Sequence, residues 1–400
     1  MAKENRGFIL MSTYCIISDN KKVVSNANID SLRVAIFVNL FYEEQIEIYI
    51  NYLNRLPAFV DIIIMSSKDT ILESFNSGRF KTIKKENRGR DISALLVTAK
   101  KLIFRYEYIC FVHDKKEKRS EQKKYVDLWI KNLWDNMLQS SMYVYNVLDV
   151  FQNSNIGMLV PLPPYGKDIG AWLNGGWGEN FENVKSLANS LNISANILYE
   201  NHPITYSTVF WARSKVLKKL FSKDWSYADF PEEPMKDDGE INHAIERILQ
   251  YVVEDTGYET KIVLSASFAG DFIEQLHSDM SALWNQLDTI FGVSTYRGLD
   301  NYNRIQSFAK EHSDIYLYGA GKRGKECHKL CRALDIIPKG FIVTNKNDSL
   351  AEGIPVFSIS DFLFTENMGI IISANSSYQE DIKKELEKRN FKEYIVYETF

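Results

Sequence analysis

Four charged or polar residues in a row follow an apolar stretch near position 110. Tyr106 to Val112 has the aromatic and β-branched composition of a buried strand, and His113, Asp114, Lys115 and Lys116 come directly after it. In an α/β sheet, the carboxyl ends of the strands are where ligands bind. An imidazole, a carboxylate and two ammonium groups at such a position therefore predict a binding site. The alternative is a strand end that carries solvated charges.

A second polar turn, Asn-Arg-Gly-Arg-Asp at 87–91, also follows a predicted strand. Gly89 permits close approach of the backbone to a ligand, and Arg90 offers a bidentate fork for phosphate. Asp91 could cap the helix that is predicted to start at Ile92. The alternatives are a surface arginine and an aspartate that does no more than cap its helix.

A third charged segment, Asp-Asp-Gly-Glu at 237–240, opens a helix predicted from about Gly239 to Glu254. Gly239 permits a sharp turn, so Asp238 can project from the mouth of the helix. A carboxylate there could accept a proton as a general base, or it could simply be the N-cap. His243 and Arg247 share one helix face at i and i+4, where they could reach phosphates or brace the helix.

Predicted strands alternate with predicted helices from residue 33 to residue 113. This alternation predicts an α/β fold with a parallel, doubly wound sheet and helices on both faces. The loops that follow the strands then lie at one edge of the sheet, which brings the first two polar turns together. Strands are predicted at 33–41, 60–67, 80–91 and 106–112, and helices at 43–55 and 92–104.

A long loop at 161–180 is rich in Gly, Pro and Trp. Its length favours a functional or mobile segment. Tyr165, Trp172 and Trp177 could stack on sugar faces and Asn180 could bond hydroxyls, although burial in the core explains them equally well. Trp211, in a later predicted strand, is either a wall of the site or part of the core.

The C-terminal part carries Gly319-x-Gly321-x-x-Gly324 between a predicted strand and a predicted helix, which is the dinucleotide fingerprint in its usual setting. The next strand ends at Asn345, where an acidic residue should contact the ribose. We therefore do not expect NAD. A structural or oligomerising module with a Gly-rich turn is the alternative.

Composition excludes several classes of protein. The 400 residues carry a net charge of −4, which gives no general attraction to nucleic acid. No apolar run approaches the ~20 residues of a membrane-spanning helix. The four cysteines are scattered and form neither a disulfide framework nor a zinc motif. We expect a cytoplasmic protein.

Five motifs follow one another along the chain: ENRGRDI at 86–92, HDKK at 113–116, DLWIKNLW at 127–134, STVFWAR at 207–213 and DDGEINHAIER at 237–247. In this order they resemble the rhamnan synthesis protein F family of bacterial polysaccharide assembly, over roughly residues 30–265. The first strand–helix–strand unit is similar to that of GT-A-fold glycosyltransferases.

The resemblance implies an inverting transferase that uses a nucleotide sugar. Deoxythymidine diphosphate rhamnose is the favoured donor, with a uridine diphosphate sugar as the alternative. The implied acceptor is a growing surface polysaccharide on a lipid carrier, or a glycoprotein, reached by peripheral association with the inner face of the membrane. A homo-oligomer or a larger assembly complex is compatible with this role. The expected domains are an N-terminal extension (1–30), a GT-A-like glycosyltransferase domain (31–270), a helical linker (271–312) and a Rossmann-like accessory domain (313–400).

The chain departs from the Asp-x-Asp metal motif of many GT-A enzymes, since "HDK" stands in its place. His113 and Asp114 could still hold Mg²⁺ or Mn²⁺. Alternatively, Lys115 and Lys116 could neutralise the leaving diphosphate directly. The missing second acidic ligand favours the metal-independent alternative.

The predicted site residues follow from these motifs and the resemblance. Asp238 is the predicted base and Glu240 the second choice. Donor and diphosphate contacts are predicted at Asn39, Asn87, Arg90, Asp91, His113, Asp114, Lys115, Lys116, His243 and Arg247; acceptor or sugar contacts are predicted at Tyr165, Trp172, Trp177, Asn180 and Trp211. A non-catalytic, nucleotide-binding scaffold is the competing function, and an oxidoreductase run by the C-terminal domain is a third.

Overall fold

The computed structural model describes residues 8–10, 13–21, 28–116, 123–163, 176–291, 296–346 and 348–398, with the side chains of 8–10, 123–128, 287–291 and 296–299 excepted. The chain divides into two compact units, Met1–Phe272 and Ile273–Phe400. Within these described ranges, none of the helices combines the length and the apolar character needed to cross a bilayer.

A mostly parallel sheet forms the centre of the first unit, with nine strands among the described residues. Their spatial order is β1-β2-β9-β7-β8-β6-β3-β4-β5, in which β8 runs antiparallel to β6 and β7, and β1 antiparallel to β2. The predicted α/β class is confirmed. The strands are β1 (Phe8–Leu10), β2 (Tyr14–Ile17), β3 (Val34–Asn39), β4 (Asp61–Ser66), β5 (Phe80–Lys84), β6 (Tyr108–His113), β7 (Ile156–Val160), β8 (Phe210–Arg213) and β9 (Glu259–Ser265).

Helices cover both faces of this sheet. Alternate residues of β3 enter two different cores, with Ala35 and Phe37 in one and Val34, Ile36 and Val38 in the other. Burial on both faces explains why the strand reads as a continuous apolar run. The helices are α1 (Ile46–Leu53), α2 (Asp69–Ser74), α3 (Arg90–Ser93), α4 (Lys100–Ile103), α5 (Lys123–Leu138), α6 (Ser141–Gln152), α7 (Phe181–Ser190), α8 (Ile241–Glu254) and α9 (Ala266–Phe291).

Two segments differ from their predicted form. The segment predicted as an N-terminal extension supplies β1 and β2, and β2 pairs in parallel with β9. The helix predicted at 92–104 is present, but it is not a single α-helix, because a π-helical turn at Ala94–Thr98 separates α3 from α4. There the amide of Ala99 donates to the carbonyl of Ala94, five residues back, at 2.9 Å. Such π turns are frequent at functional sites.

The second unit contains a smaller sheet with the order β12-β13-β11-β10-β14-β15 in the described part of the chain. Its strands are parallel except for the β12–β13 pair. Since β11 and β14 lie on opposite sides of β10, the topological switch point is at β10. The elements are β10 (Asp314–Tyr318), β11 (Gly340–Val343), β12 (Leu350–Ala351), β13 (Ile354–Ser358), β14 (Met368–Ile372), β15 (Tyr394–Val396), α10 (Tyr296–Glu311), α11 (Lys322–Ala333) and α12 (Ser376–Lys388).

Candidate active site at the carboxyl edge of the large sheet

The switch point of the large sheet lies between β3 and β6. From β3 the chain proceeds outward to β4 and β5, and then returns to β6 on the other side of β3. Connections that leave adjacent strand ends in opposite directions open a crevice between them. Asn39 and His113, the last residues of these strands, are paired in register at this point and both are buried.

His113 and Asp114 fasten the loops around the crevice. The Oδ2 atom of Asp114 accepts hydrogen bonds from the backbone amides of Phe41 and Tyr42, at 2.6 and 2.7 Å. The two ring nitrogens of His113 lie 2.7 Å from the carbonyl oxygen of Asp114 and 2.5 Å from that of Ser207. Both ring nitrogens therefore face backbone carbonyl oxygens, which fixes the orientation of the ring at the end of β6.

These contacts do not fit a metal site at His113 and Asp114. Both imidazole nitrogens and one carboxylate oxygen are already bound to backbone groups. Burial also raises the pKa of Asp114 to about 6, although the two amides that it binds oppose this. In the described part of the chain, no group of three His, Cys, Asp or Glu side chains is placed to hold a metal ion.

Asp91 extends this cluster from the first turn of α3. Its carboxylate lies 3.9 Å from Nε2 of His113. Burial alone would raise the pKa of Asp91, but the His113 ring, the Thr208 hydroxyl and the Lys115 charge outweigh burial, so its pKa lies below the ordinary value. The predicted capping role is wrong, because the N-cap of α3 is Gly89. Asp91 instead contributes an ionised carboxylate to the crevice.

The backbone is strained at two places beside this cluster. Gly89 and Arg90 have φ values of 69° and 46°, and Thr208 has φ of 50°. A positive φ is unusual for arginine and a clear outlier for a β-branched threonine. At Gly89, an added Cβ would lie 2.7 Å from the ring of Phe230, so only glycine fits. Strain of this kind concentrates at functional sites.

The predicted phosphate-binding cations differ in how they are paired. Arg90 forms a bidentate ion pair with Glu233 at 2.8 and 3.0 Å, and Lys116 pairs with Glu44. Lys115 lies over the ring of Trp129, 3.5 Å from its centre. Burial lowers the pKa of Lys115, which Glu246 and Asp91 oppose. In the described part of the chain, Lys115 thus packs on an aromatic ring and forms no ion pair, unlike Arg90 and Lys116. Asn87 is exposed.

Asp238 holds the turn that precedes α7. Its Oδ2 accepts from the amide of Glu179 at 2.9 Å, and its Oδ1 accepts from Nδ2 of Asn180 at 2.6 Å. Gly178 must be glycine, since a Cβ there would lie 2.1 Å from Oδ2 of Asp238. Burial would raise the pKa of Asp238, but these hydrogen bonds and the charge of Arg247 hold it below the ordinary value. The N-cap of α8 is Glu240, so the capping alternative for Asp238 is wrong.

His243 and Arg247 brace the same region from α8. Glu240 donates its amide to Nδ1 of His243 at 3.3 Å, and burial lowers the pKa of this histidine. Arg247 is buried; its guanidinium lies 3.5 Å from Oδ1 of Asp238 and donates to the carbonyl of Gly176 at 3.4 Å. The α8 motif thus fixes one wall of the crevice.

The predicted sugar contacts give a mixed result. Trp177 and Trp211 are buried in the core, and their indole N–H groups donate to the carbonyls of Tyr199 and Met137. Neither ring is open for stacking in this structure. Asn180 is buried and donates to Asp238, while its Oδ1 has no hydrogen-bond partner among the described residues. The predictions for Tyr165 and Trp172 lie outside the described residues.

The sequence analysis did not assign a role to two charged side chains near the crevice, Glu246 and Lys85. Burial raises the pKa of Glu246 on α8, opposed by Arg247 and Lys115, and burial lowers the pKa of Lys85, just after β5, to about 8. A signal for Glu246 was its spacing of one helical turn from His243. For Lys85 it was the position at the strand end, immediately before the 86–92 motif.

The glycines of the second unit fit a tight strand–turn–helix packing. A Cβ on Gly324 would lie 1.9 Å from the carbonyl oxygen of Gly319, and Gly319 itself has φ of 120°. Gly321 faces open space, with nothing within 4 Å of an added Cβ. Asn345, in the position of the expected ribose acid, is exposed after β11.

Comparison with known proteins adds one finding. The model of a protein family described as rhamnan synthesis protein F matches residues 5–258, which is more than half of the 400 residues. The search of curated proteins found no match. The matched span contains the crevice residues of β3, β5, β6 and α8 described above. The chain therefore belongs to the rhamnan synthesis protein F family.

Proposed function

We propose that the first unit is a glycosyltransferase for rhamnan synthesis or a related surface glycan. It would move a sugar, with rhamnose favoured, from a nucleoside diphosphate donor to a growing glycan, with inversion at the anomeric carbon. Membership of the family supports the role in rhamnan synthesis. The donor, the acceptor and the stereochemistry are our proposal.

The observation that carries this proposal is the convergence of buried or half-buried charges at the switch point. His113 and Lys115 come from the end of β6, Asp91 comes from α3, and Arg247 and Glu246 come from α8. Burying so many charges is costly unless they are paired or used. Perturbed titratable groups in a crevice at the ligand edge of a sheet are typical of an active site.

The negative charge that develops on the leaving diphosphate must be stabilised by positive groups of the protein, because a buried site offers little water to do so. We assign this role to Lys115 at the carboxyl end of β6, with His113 beside it. Preorganised charges in a water-poor site stabilise developing negative charge strongly. Lys116 and Arg90 would contribute less, since each has a carboxylate partner.

The acceptor hydroxyl must lose a proton as it attacks. We retain Asp238 as the proposed proton acceptor, because it is ionised and its side chain is 31% exposed. Glu240 at the N-cap stays the second choice from the sequence. Glu246 is the competing carboxylate that the structure adds, because its raised pKa makes it the stronger base.

A thermal-shift screen followed by a turnover assay tests the function. Uridine and deoxythymidine diphosphates should stabilise the protein by mass action, whereas the nucleosides alone should do so much less. Incubation with the matching nucleotide sugars should then release nucleoside diphosphate. Stabilisation without any release or transfer would favour the non-catalytic scaffold, and no stabilisation with either nucleotide would contradict both functions.

A further inference from the structure

Lys85 occupies an unusual position for a lysine. It is the first residue after β5, it is only 7% exposed, and its backbone amide is fixed by the carbonyl of Ser66 at 3.0 Å. Its ammonium donates one hydrogen bond, to the carbonyl of Glu86 at 2.7 Å. The described residues place no carboxylate within 4 Å of it. Two of its three protons therefore have no acceptor in the described part of the chain.

The neighbouring cations on the same segment are all paired. Lys84 pairs with Asp69 at 2.6 Å, Arg88 with Glu232 at 3.3 Å and Arg90 with Glu233 at 2.8 Å. Each of these is more exposed than Lys85 and would cost less if it were left alone. Each more exposed cation of the segment thus has a carboxylate partner, whereas the buried Lys85 has an incomplete set of hydrogen-bond partners.

The charges around Lys85 connect it to the crevice. Asp91, Glu233 and the adjacent Glu86 are the carboxylates whose charges favour its ammonium form. Asp91 does the same for Lys115. The two lysines therefore lie near a common carboxylate, one at the end of β5 and the other at the end of β6.

We propose that Lys85 binds an anionic oxygen of the nucleoside diphosphate and forms, together with Lys115, a two-lysine anion site around Asp91. This inference rests on the proposed function and assigns a specific side chain to its donor. The alternative is a structural role, in which the ammonium only fixes the Glu86 carbonyl and so the turn that follows β5.

Protonation gives this proposal a measurable signature. Because the pKa of Lys85 is about 8, about half of the ammonium is deprotonated at pH 8 in the free protein. A bound diphosphate would raise this pKa, since an adjacent opposite charge favours the charged form. Binding at pH 8 should therefore take up about half a proton at this residue.

The decisive experiment is calorimetric titration of the full-length protein with uridine or deoxythymidine diphosphate at pH 8. Two buffers with different ionisation enthalpies give the proton uptake. Lys85→Gln is the main variant, because glutamine can still donate to the Glu86 carbonyl but carries no charge. Lys84→Gln is the matched control, being the adjacent, exposed and ion-paired lysine.

We expect Lys85→Gln to weaken binding by about tenfold or more, as for loss of a charge-assisted hydrogen bond. Its proton uptake should fall below that of the unchanged protein by about half a proton. Lys84→Gln should match the unchanged protein in both. Uptake that remains in Lys85→Gln belongs to other groups, such as Lys115.

Equal affinity and equal proton uptake in Lys85→Gln and the unchanged protein would overturn the role of Lys85 and leave the proposed function standing. No binding by the unchanged protein would instead overturn the proposed function. Lys85→Met provides a second variant should the glutamine disturb folding. We expect its melting temperature without nucleotide to equal or exceed that of the unchanged protein, because a buried charge has been removed.

Discussion

The two sheets each have a topological switch point, and the residues at the two points differ in kind. In the large sheet, the switch point between β3 and β6 is occupied by His113 and Asp114, with Asp91 beside them. In the small sheet, the turn after β10 is built from Gly319 and Gly321, and Ser373 after β14 donates to the carbonyl of Gly319 at 3.2 Å. Charged side chains thus gather at the first point, whereas glycine and serine residues form the turn at the second.

This difference shows that the same sheet topology can occur with and without a cluster of charged side chains. Both units have the doubly wound connections that open a crevice. Charges held in a preorganised, partly buried site are what stabilise a reaction's changing charge. A fold can recur without its function, so the charges of the first unit are the stronger argument for catalysis. The contrast predicts that substitutions at the first switch point change turnover and those at the second change only stability.

The largest effect is expected from the proton acceptor. Asp238→Asn should lower transfer by about 10²–10⁴-fold, because the amide cannot accept the proton. Donor binding should survive. Measurement of kcat and of the nucleotide Kd checks this, with Glu246→Gln in parallel. The amide in Asp238→Asn retains an oxygen that can accept from Glu179 or Asn180, so a circular dichroism melt should show a folded protein.

The pH profile distinguishes the two carboxylates. The pKa of Asp238 is lowered, so as the base it would keep kcat constant well into the acidic range, with loss only as pH falls through that low pKa. The pKa of Glu246 is raised by burial, so as the base it would make kcat fall at a higher pH. An acidic limb above the ordinary glutamate range, with Glu246→Gln inactive, would transfer the role to Glu246.

The next effect concerns the leaving group. Lys115→Met should weaken nucleoside diphosphate binding by about 1.5–3 kcal/mol, the range for hydrogen bonds to charged groups. Lys116→Met should cost much less, because its ammonium is exposed and already paired with Glu44. Isothermal titration of both variants gives the comparison. Equal losses would mean that the Lys116–Glu44 pair opens when the donor binds.

The sequence predicted where the charges lie better than what they contact. The polar turns after β5 and β6 were expected at one edge of a parallel sheet, which is confirmed, but the two strands are not adjacent as predicted, because β3 and β4 lie between them. The partners of Asp114 are amides of the loop after β3, more than 70 residues earlier in the chain. Such partners depend on the loop conformation, which no local pattern encodes. The sequence, which left a metal site at His113 and Asp114 open as the less favoured alternative, therefore did not show that these two residues anchor loops.

Burial explains the residues that the sequence interpretation missed. Lys85 and Glu246 are ordinary charged residues in the sequence, and their pKa values shift only because packing removes water from them. The π turn at Ala94–Thr98 was also hidden, because its apolar spacing suits an α-helix. Trp177 was predicted equally well as core or contact, and burial decided for the core in this structure.

A smaller effect is expected at the second switch point. Gly324→Ala would place a methyl group 1.9 Å from the carbonyl oxygen of Gly319, so the helix or the turn must move. We expect a loss of about 1–3 kcal/mol in the stability of the second unit, the usual cost of overpacking. Gly321→Ala has open space and is the matched control. Calorimetric melts measure stability, and nucleoside diphosphate release should stay unchanged in both variants. Loss of release with Gly321→Ala would show that the second turn takes part in the reaction.

The last prediction concerns the pH dependence of stability that Lys85 imposes on the first unit. Its pKa of about 8 lies below the ordinary 10.5, so between these values the unfolded chain binds more protons than the folded one. The free energy of unfolding should therefore rise with pH in this window, by at most about 1.4 kcal/mol per pH unit, and show no such slope below pH 8.

Urea unfolding followed by tryptophan fluorescence suits the measurement, since six of the seven tryptophans precede residue 273. Subtracting the curve of Lys85→Gln from that of the unchanged protein isolates this residue, and Lys84→Gln should leave the slope intact because its ammonium is exposed. A difference curve that is flat from pH 8 to 10.5 would mean that water reaches the Lys85 ammonium in solution. Lys85 would then not be the buried, incompletely paired lysine that the described residues of the 84–90 segment show.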